Sequence, residues 1–283
     1  MIERLAIVGV GLLGGSVAKA ARARGLARDI VGIGRDLARL RPALSEGALD
    51  RATTDVAEGV AGADCIVLGA PVLANEALLG PVWQAAPAGA VVTDVGSTKR
   101  GIVAAAERLA AGRREVHFVG SHPMAGSERS GYGVARADLF AGATVVVTPG
   151  EAGEARAVKA VEEFWTALGA RVVTLDPETH DRAVAAISHL PHVVAWALVD
   201  AVTRFEPDAL AIAARGFKDT TRIAAADPEV WREILTDNRA AVAASVAAFR
   251  RALDDLDALV AAGDGPALTA FLARMKTLRE RLA

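Results

Sequence analysis

The chain has 283 residues, 52% hydrophobic and 23% charged, with a formal net charge of −2. It is long enough for two domains and apolar enough for a sizeable core, which excludes a largely disordered protein. Its charges are interspersed with no basic tract, against a nucleic-acid binder, and the single cysteine, Cys65, excludes a disulfide framework and fits a reducing cytoplasm.

The N-terminus reads as a strand, not as a signal peptide. Residues 5–8 are a short apolar run ending at Gly9, residues 13–25 a helix closed by Gly25, and residues 30–33 a second strand. Further strands are expected at 64–69, 90–94, 117–120 and 144–148, separated mostly by helices at 37–47, 74–86 and 99–112. A helix at 154–168 and a strand at 171–175 extend the layer. Alternation at this spacing predicts a parallel, doubly wound α/β sheet over residues 1–176. After Asp176 strand signals vanish, and Ala/Leu/Val-rich helical periodicity punctuated by Pro191, Pro207 and Pro228 predicts an all-helical second domain over 177–283. The apolar stretches 183–202 and 240–262 are interrupted by charges, His or Pro. They fall short of the roughly 18–20 uninterrupted residues of a membrane span and read as buried or dimer-forming helices. A homodimer follows as the default assembly.

Gly9-Val10-Gly11-Leu12-Leu13-Gly14 stands between the first strand and the first helix, which is where a Rossmann-like dinucleotide site needs it. Gly9 permits the turn, Gly11 lets the backbone approach a pyrophosphate, and Gly14 permits close helix–strand packing. At the end of the second strand, where NAD enzymes carry an acid for the ribose 2′-OH, this chain has Gly34 followed by Arg35. A guanidinium there suits a 2′-phosphate, so NADP is favoured. Asp36 doing the acidic work, with Arg35 a solvated residue, is the competing reading and would point to NAD.

Three polar clusters lie where such a fold places chemistry: 94–99 containing Ser97, 120–128 containing His122, and 188–192 containing Ser188 and His192. Ser188 and His192 are four apart and share a helix face, and Pro191 should kink that helix. His117 and His180 read as structural or exposed. A metal is not expected, because no HExxH or CxxC spacing exists. A two-domain dehydrogenase of the β-hydroxyacid or pyrroline-carboxylate reductase type, with a helical dimer domain, would call for a lysine early in the second domain, where this chain offers Ser188, His189 and His192. A non-catalytic dinucleotide sensor would leave the clustered polar residues without a purpose.

Together, GVGLLGGS at 9–16, DVGSTK at 94–99, GSHPMAGSERSG at 120–131, SHLPH at 188–192 and GFKDTTRIA at 216–224 resemble the prephenate/arogenate dehydrogenase family over nearly the whole chain. The resemblance implies oxidative decarboxylation of prephenate or arogenate with NAD(P), on the route to tyrosine. It implies that His122 takes the proton of the substrate's ring hydroxyl, that Ser97 orients His122 and that hydroxyl, and that Ser188 supports His122 from the helical domain. Arg222 would clamp the ring carboxylate. His192 and Lys218 would line the pocket, Glu128 and Asp219 would belong to a charge network around Arg222, and Trp231 would reach a neighbouring subunit's pocket. No ACT-like regulatory module is recognisable, so feedback by tyrosine is expected at the active site or not at all.

Overall fold

The computed structural model describes residues 1–127, 129–151 and 153–282. Six parallel strands form the main sheet: β1 Ile2–Val8, β2 Ala27–Ile33, β3 Arg51–Thr53, β4 Cys65–Leu68, β5 Val91–Asp94 and β6 His117–Phe118, in the order β3-β2-β1-β4-β5-β6. The order reverses between β1 and β4, so the crevice for a ligand opens beyond the carboxyl ends of these two strands. Helices α1 Leu12–Ala23, α2 Leu37–Ser45, α3 Val56–Val60, α4 Val72–Ala85, α5 Arg100–Ala110 and α6 Ala155–Ala167 accompany the strands.

The central strands are apolar on both faces, as a covered parallel sheet requires. Leu5, Ile7, Cys65 and Val67 join one buried cluster with Phe140 and Trp165, while Ala6, Val8, Ile66 and Leu68 join another with Leu79 and Trp83. Short β3 and α3 escaped the sequence reading, because 51–60 carries too few apolar residues to show a period.

One expectation needs correcting. The segment 117–120 is not a single strand, and 144–148 and 171–175 do not extend the main sheet. The chain leaves β5 after Phe118, and β7 Gly120–Pro123 pairs antiparallel with β8 Thr144–Thr148, which pairs parallel with β9 Arg171–Thr174 in a separate three-stranded sheet. Buried Ser121 makes the transfer. Its backbone N–H donates to Asp94 Oδ1 at 3.0 Å, and its hydroxyl meets Thr93 Oγ1 and the Trp165 indole N–H, both at 2.9 Å. Side-chain bonds thus tie the strand to β5 where the ladder stops.

From Pro177 onward every regular element is helical among the described residues: α7 Pro177–Val184, a π-helical turn Ala185–His189, α8 Leu190–Phe205, α9 Arg215–Thr221, α10 Pro228–Asp237, α11 Arg239–Ala262 and α12 Gly265–Glu280, with short 3-10 turns between α8 and α10. In place of the sharp kink expected at Pro191, the helix widens by a π turn just ahead of it. Widening moves the carbonyls away from a ring that lacks an N–H and would otherwise clash. Pro177–Phe205 consequently runs as one helical span of 29 residues that is, by length and composition, apolar enough to cross a membrane. The span begins ahead of the apolar stretch 183–202, and its buried His180, Asp181 and His189 are engaged in the site described below.

Packing groups Met1–Asn238 into one compact unit and Arg239–Ala283 into a second. In α11 and α12 no residue is buried, and Leu253, Val260 and Leu272 are more than half exposed.

The glycines of the first turn are held by close approaches. Gly9 has φ of +97°, and a Cβ there would sit 2.7 Å from Ala70 N; a Cβ on Gly14 would sit 2.0 Å from the Gly9 carbonyl oxygen. Backbone cannot yield to such overlap, so Gly14→Ala should destabilise the protein by about 1–3 kcal/mol or more. Its Tm is expected to fall, and dinucleotide titration monitored by fluorescence should show weakened binding.

Candidate active site

The dinucleotide end is built by β1, the glycine turn and α1. No side chain caps the first turn of α1 and no acidic residue lies in it, so its N–H groups and helix dipole are left for an anion. A Cβ on Gly11 would meet nothing within 4 Å. That open space beside an uncapped 12-residue helix fits a pyrophosphate. Leu12 and Leu13 are half-buried in the first turn. A cleft of about 360 Å³ adjoins Leu12 and is also lined by Arg129 and Arg136. Neither arginine was singled out in the sequence, because nothing local distinguishes them from surface charges. Arg35 is exposed just after β2, and Asp36 N-caps α2, its Oδ1 accepting from Ala38 N at 2.8 Å. A larger cleft of about 490 Å³ at the β6 edge, lined by Trp83, Glu107, Arg114 and His117 among others, holds none of the expected site residues.

The loop after β5 is braced from inside. Asp94 accepts from Gly96 N at 2.8 Å and pairs with the Lys99 ammonium, and both side chains are essentially inaccessible. Deleting one member would strand a buried charge, at a cost of about 3–5 kcal/mol. Ser97 sits half-buried on the bend of this loop and makes no hydrogen bond to another described residue.

His122 lies in β7 and is 8% exposed. Its partner is neither Ser97 nor Ser188. His122 Nδ1 lies 2.9 Å from His180 Nε2, and His180 Nδ1 lies 2.8 Å from Asp181 Oδ1. His180 was expected to be structural or exposed; it is fully buried and joined to the candidate base. Asp181 also accepts from Lys99 N at 2.8 Å and Arg100 N at 3.0 Å, capping α5 from across the fold. The adjacent His-Asp pair in the first turns of a helix begun by Asp176 and Pro177 was the available signal.

The helical segment supplies the opposite wall. Ser188 is half-buried, and its carbonyl accepts from His192 Nδ1 at 2.9 Å, so the two do share a face. Within its own chain Trp231 stacks on His192, with ring centroids 3.6 Å apart, and edges against His189. The cap of α10 at Asp227, which accepts from Glu229 N and Val230 N, aims the tryptophan this way. Trp196 completes the aromatic group and donates to Ala224 O at 2.9 Å. Lys218 and Asp219 are exposed on α9. That helix ends at Thr221 and tightens into a 3-10 turn starting at Arg222, whose N–H bonds Asp219 O, so Lys218 and Arg222 do not share one regular helix. Glu128 lies outside the described residues.

Electrostatics link these groups in a row. Burial pushes His122 well below the ordinary histidine value, with His180, Lys99 and His189 adding to the effect. Burial also lowers His189, to about 4, despite Asp181. His192 is lowered by burial, with Arg222 near enough to contribute. The influence passes stepwise, with His189 acting on His122, His192 on His189 and Arg222 on His192. A neutral imidazole in a desolvated pocket near a cation can take a proton beside an anionic substrate.

The comparisons agree with this geometry. The family model described as prephenate dehydrogenase, nucleotide-binding domain, matches residues 17–174, and that described as prephenate dehydrogenase, dimerization domain, matches 176–274. The chain is 33% identical to a prephenate dehydrogenase of Bacillus subtilis, over 100% of this chain and 76% of that protein. Its structure superposes with a TM-score of 0.93 on prephenate dehydrogenase from A. aeolicus in complex with hydroxyphenyl propionate and NAD+, at 32% identity and covering 100% of this chain and 99% of the other. The Synechocystis arogenate dehydrogenase gives a TM-score of 0.86 at 30% identity, covering 99% and 100%. A dinucleotide-binding α/β fold followed by helices, matched by these relatives over the whole chain, places the protein among the NAD(P)-dependent oxidoreductases. This chain belongs to the prephenate dehydrogenase family.

His189 yields a stability prediction. Its folded pKa, about 4, lies below the ordinary 6.5, so the unfolded chain binds the proton first as pH falls. The associated stability is present above pH 6.5 and is lost progressively toward pH 4, a loss of roughly 3 kcal/mol from this group. Thermal unfolding scanned between pH 7 and pH 4.5 should show Tm falling with acidity, less steeply in His189→Gln.

Proposed function

We propose that this protein oxidises prephenate and releases its ring carboxylate as CO2, giving 4-hydroxyphenylpyruvate, with NAD(P) as the oxidant. Arogenate, which differs only in carrying an amino group on the side chain, is the alternative or second substrate. The observation that carries the proposal is the buried, hydrogen-bonded imidazole of His122 in a dinucleotide-binding fold, in electrostatic continuity with Arg222.

The glycine turn Gly9–Gly14 and the N-terminus of α1 hold the dinucleotide pyrophosphate, and when bound the nicotinamide supplies the hydride acceptor. His122 removes the ring-hydroxyl proton as the carbinol carbon loses hydride. Ser97, with no hydrogen bond to another described residue, hydrogen-bonds the same hydroxyl. Ser188 closes the site from the helical side. Arg222 fixes the ring carboxylate with a planar fork, and His192 with Lys218 face the substrate side chain. Asp219 and Glu128 act in the charge balance around Arg222. Trp231 holds His192 by stacking. Loss of CO2 needs little further assistance because it produces an aromatic ring.

Gly34 and exposed Arg35 favour NADP over NAD, since Asp36 already caps α2. Residues 1–176 carry the cofactor, and residues 177–283 carry substrate contacts and subunit pairing. The matched dimerization-domain model and the unburied helices α11 and α12 support a homodimer. A single buried cysteine and the polar groups engaged along Pro177–Phe205 support a cytoplasmic enzyme free of membrane.

The test offers prephenate and arogenate, each with NAD and NADP, while reduced nicotinamide absorbance is followed; turnover with at least one pair is expected. His122→Asn should lower kcat by about 10²–10⁴-fold. Arg222→Ala should raise the substrate KM by about 10–100-fold with a smaller effect on the cofactor. Arg35→Ala should shift the ratio of kcat/KM values toward NAD, and an unchanged ratio would remove the NADP preference.

A further inference from the structure

His122 can act as a base only if the nitrogen facing substrate carries a lone pair, and the structure contains a device that decides this. Asp181 gathers three donors: the Lys99 and Arg100 backbone N–H groups and the His180 ring. A carboxylate at that junction accepts and has no proton to offer, so His180 Nδ1 carries the hydrogen. In the neutral His180 ring, Nε2 is then the lone-pair nitrogen. The 2.9 Å contact between His180 Nε2 and His122 Nδ1 needs one hydrogen, and only His122 Nδ1 is left to supply it. Neutral His122 therefore has its proton on Nδ1 and its lone pair on Nε2.

We infer that His180 and Asp181 are positioning residues that lock His122 into the tautomer able to accept a proton at Nε2. The inference rests on the reading of His122 as the base. In the step it serves, the substrate O–H bond breaks and an Nε2–H bond forms. The new imidazolium keeps its Nδ1–H on His180, and the charge is opposed by Asp181 one ring further on. No proton leaves His122 through the relay. The three side chains are 8%, 0% and 2% exposed, so water is poorly placed to substitute for any of them. Lys99 and His189 also face this group, and neither hydrogen-bonds the His122 ring.

The arrangement is testable without turnover. In the full chain with 15N-labelled histidine, side-chain nitrogen shifts report which ring nitrogen is protonated, and His122→Asn identifies the His122 signals. Neutral His122 and His180 are both expected to be protonated at Nδ1. Asp181→Asn lets the His180 tautomer reverse. His122 should then shift toward Nε2–H, and kcat should fall by about 10²–10⁴-fold, with the dinucleotide KM changed no more than about twofold. Because Asp181 also caps α5, that variant can fail to fold, and His180 supplies the second comparison. His180→Gln keeps an oxygen acceptor for the Nδ1–H and should stay within about tenfold of the parent kcat. His180→Leu offers no acceptor and should fall as Asp181→Asn does. Finding Nε2–H on His122 in the parent protein, or His180→Leu with unchanged spectrum and kcat, would overturn the inference. If the tautomer is as stated but His122→Asn still turns over at the parent rate, the base assignment fails while the orientation of the rings stands.

Discussion

The carboxylate of Asp181 joins what the chain keeps far apart. One oxygen accepts from Lys99 N and His180, the other from Arg100 N, and its own backbone carbonyl accepts from Asn238 at 2.7 Å. A single buried residue thus caps a helix of the sheet layer and orients a ring beside β7 with its carboxylate, and fastens the end of α10 with its carbonyl. Three of these bonds reach across 57 to 82 positions of sequence. Such a node is expensive to desolvate alone, and it is tolerable here because each oxygen is fully employed. The carbonyl bond from Asn238 also brings that amide within 3.3 Å of His189 Nδ1, so the same node steadies the wall on which Trp231 and His192 stack.

The glycine turn, the alternation of strands and helices and the change to helices after residue 176 were legible because each depends on local pattern. Gly9 and Gly14 stand where a Cβ would come within 2.0–2.7 Å of backbone, and Gly11 where one would meet nothing within 4 Å, so the spacing of the three encodes two close approaches and one open space. The transfer of the chain from one sheet to another at Ser121 was illegible. It rests on a buried hydroxyl meeting Thr93 and Trp165, partners 28 and 44 positions away that the pattern of 117–120 does not announce.

The candidate site was legible where a motif names a residue type and illegible where the work is done by second partners. His122, Ser97, Ser188 and His192 stand out in polar clusters at element ends. His180 did not, because a lone histidine in a helix gives no sign that it faces another ring 58 residues away. The contact of Trp231 with His192 was not announced for a similar reason: it depends on how Asp227 starts α10, which sequence spacing does not encode. The π turn at Ala185–His189 belongs here too. Pro191 announced a disturbance, but a kink and a widened turn satisfy the same missing N–H, and only three-dimensional packing selects between them.

The two terminal helices raise a different matter. A hairpin of α11 and α12 with no buried residue cannot hold its shape through its own contacts, since each residue it orders costs conformational entropy that only burial offsets. In the homodimer proposed above, burial between copies would supply what the hairpin lacks, and order in this part of the molecule would become a function of how much protein is present. Mass action would then favour the covered form at high concentration, and dilution would loosen the hairpin before the sheet layer, which has its own two apolar clusters.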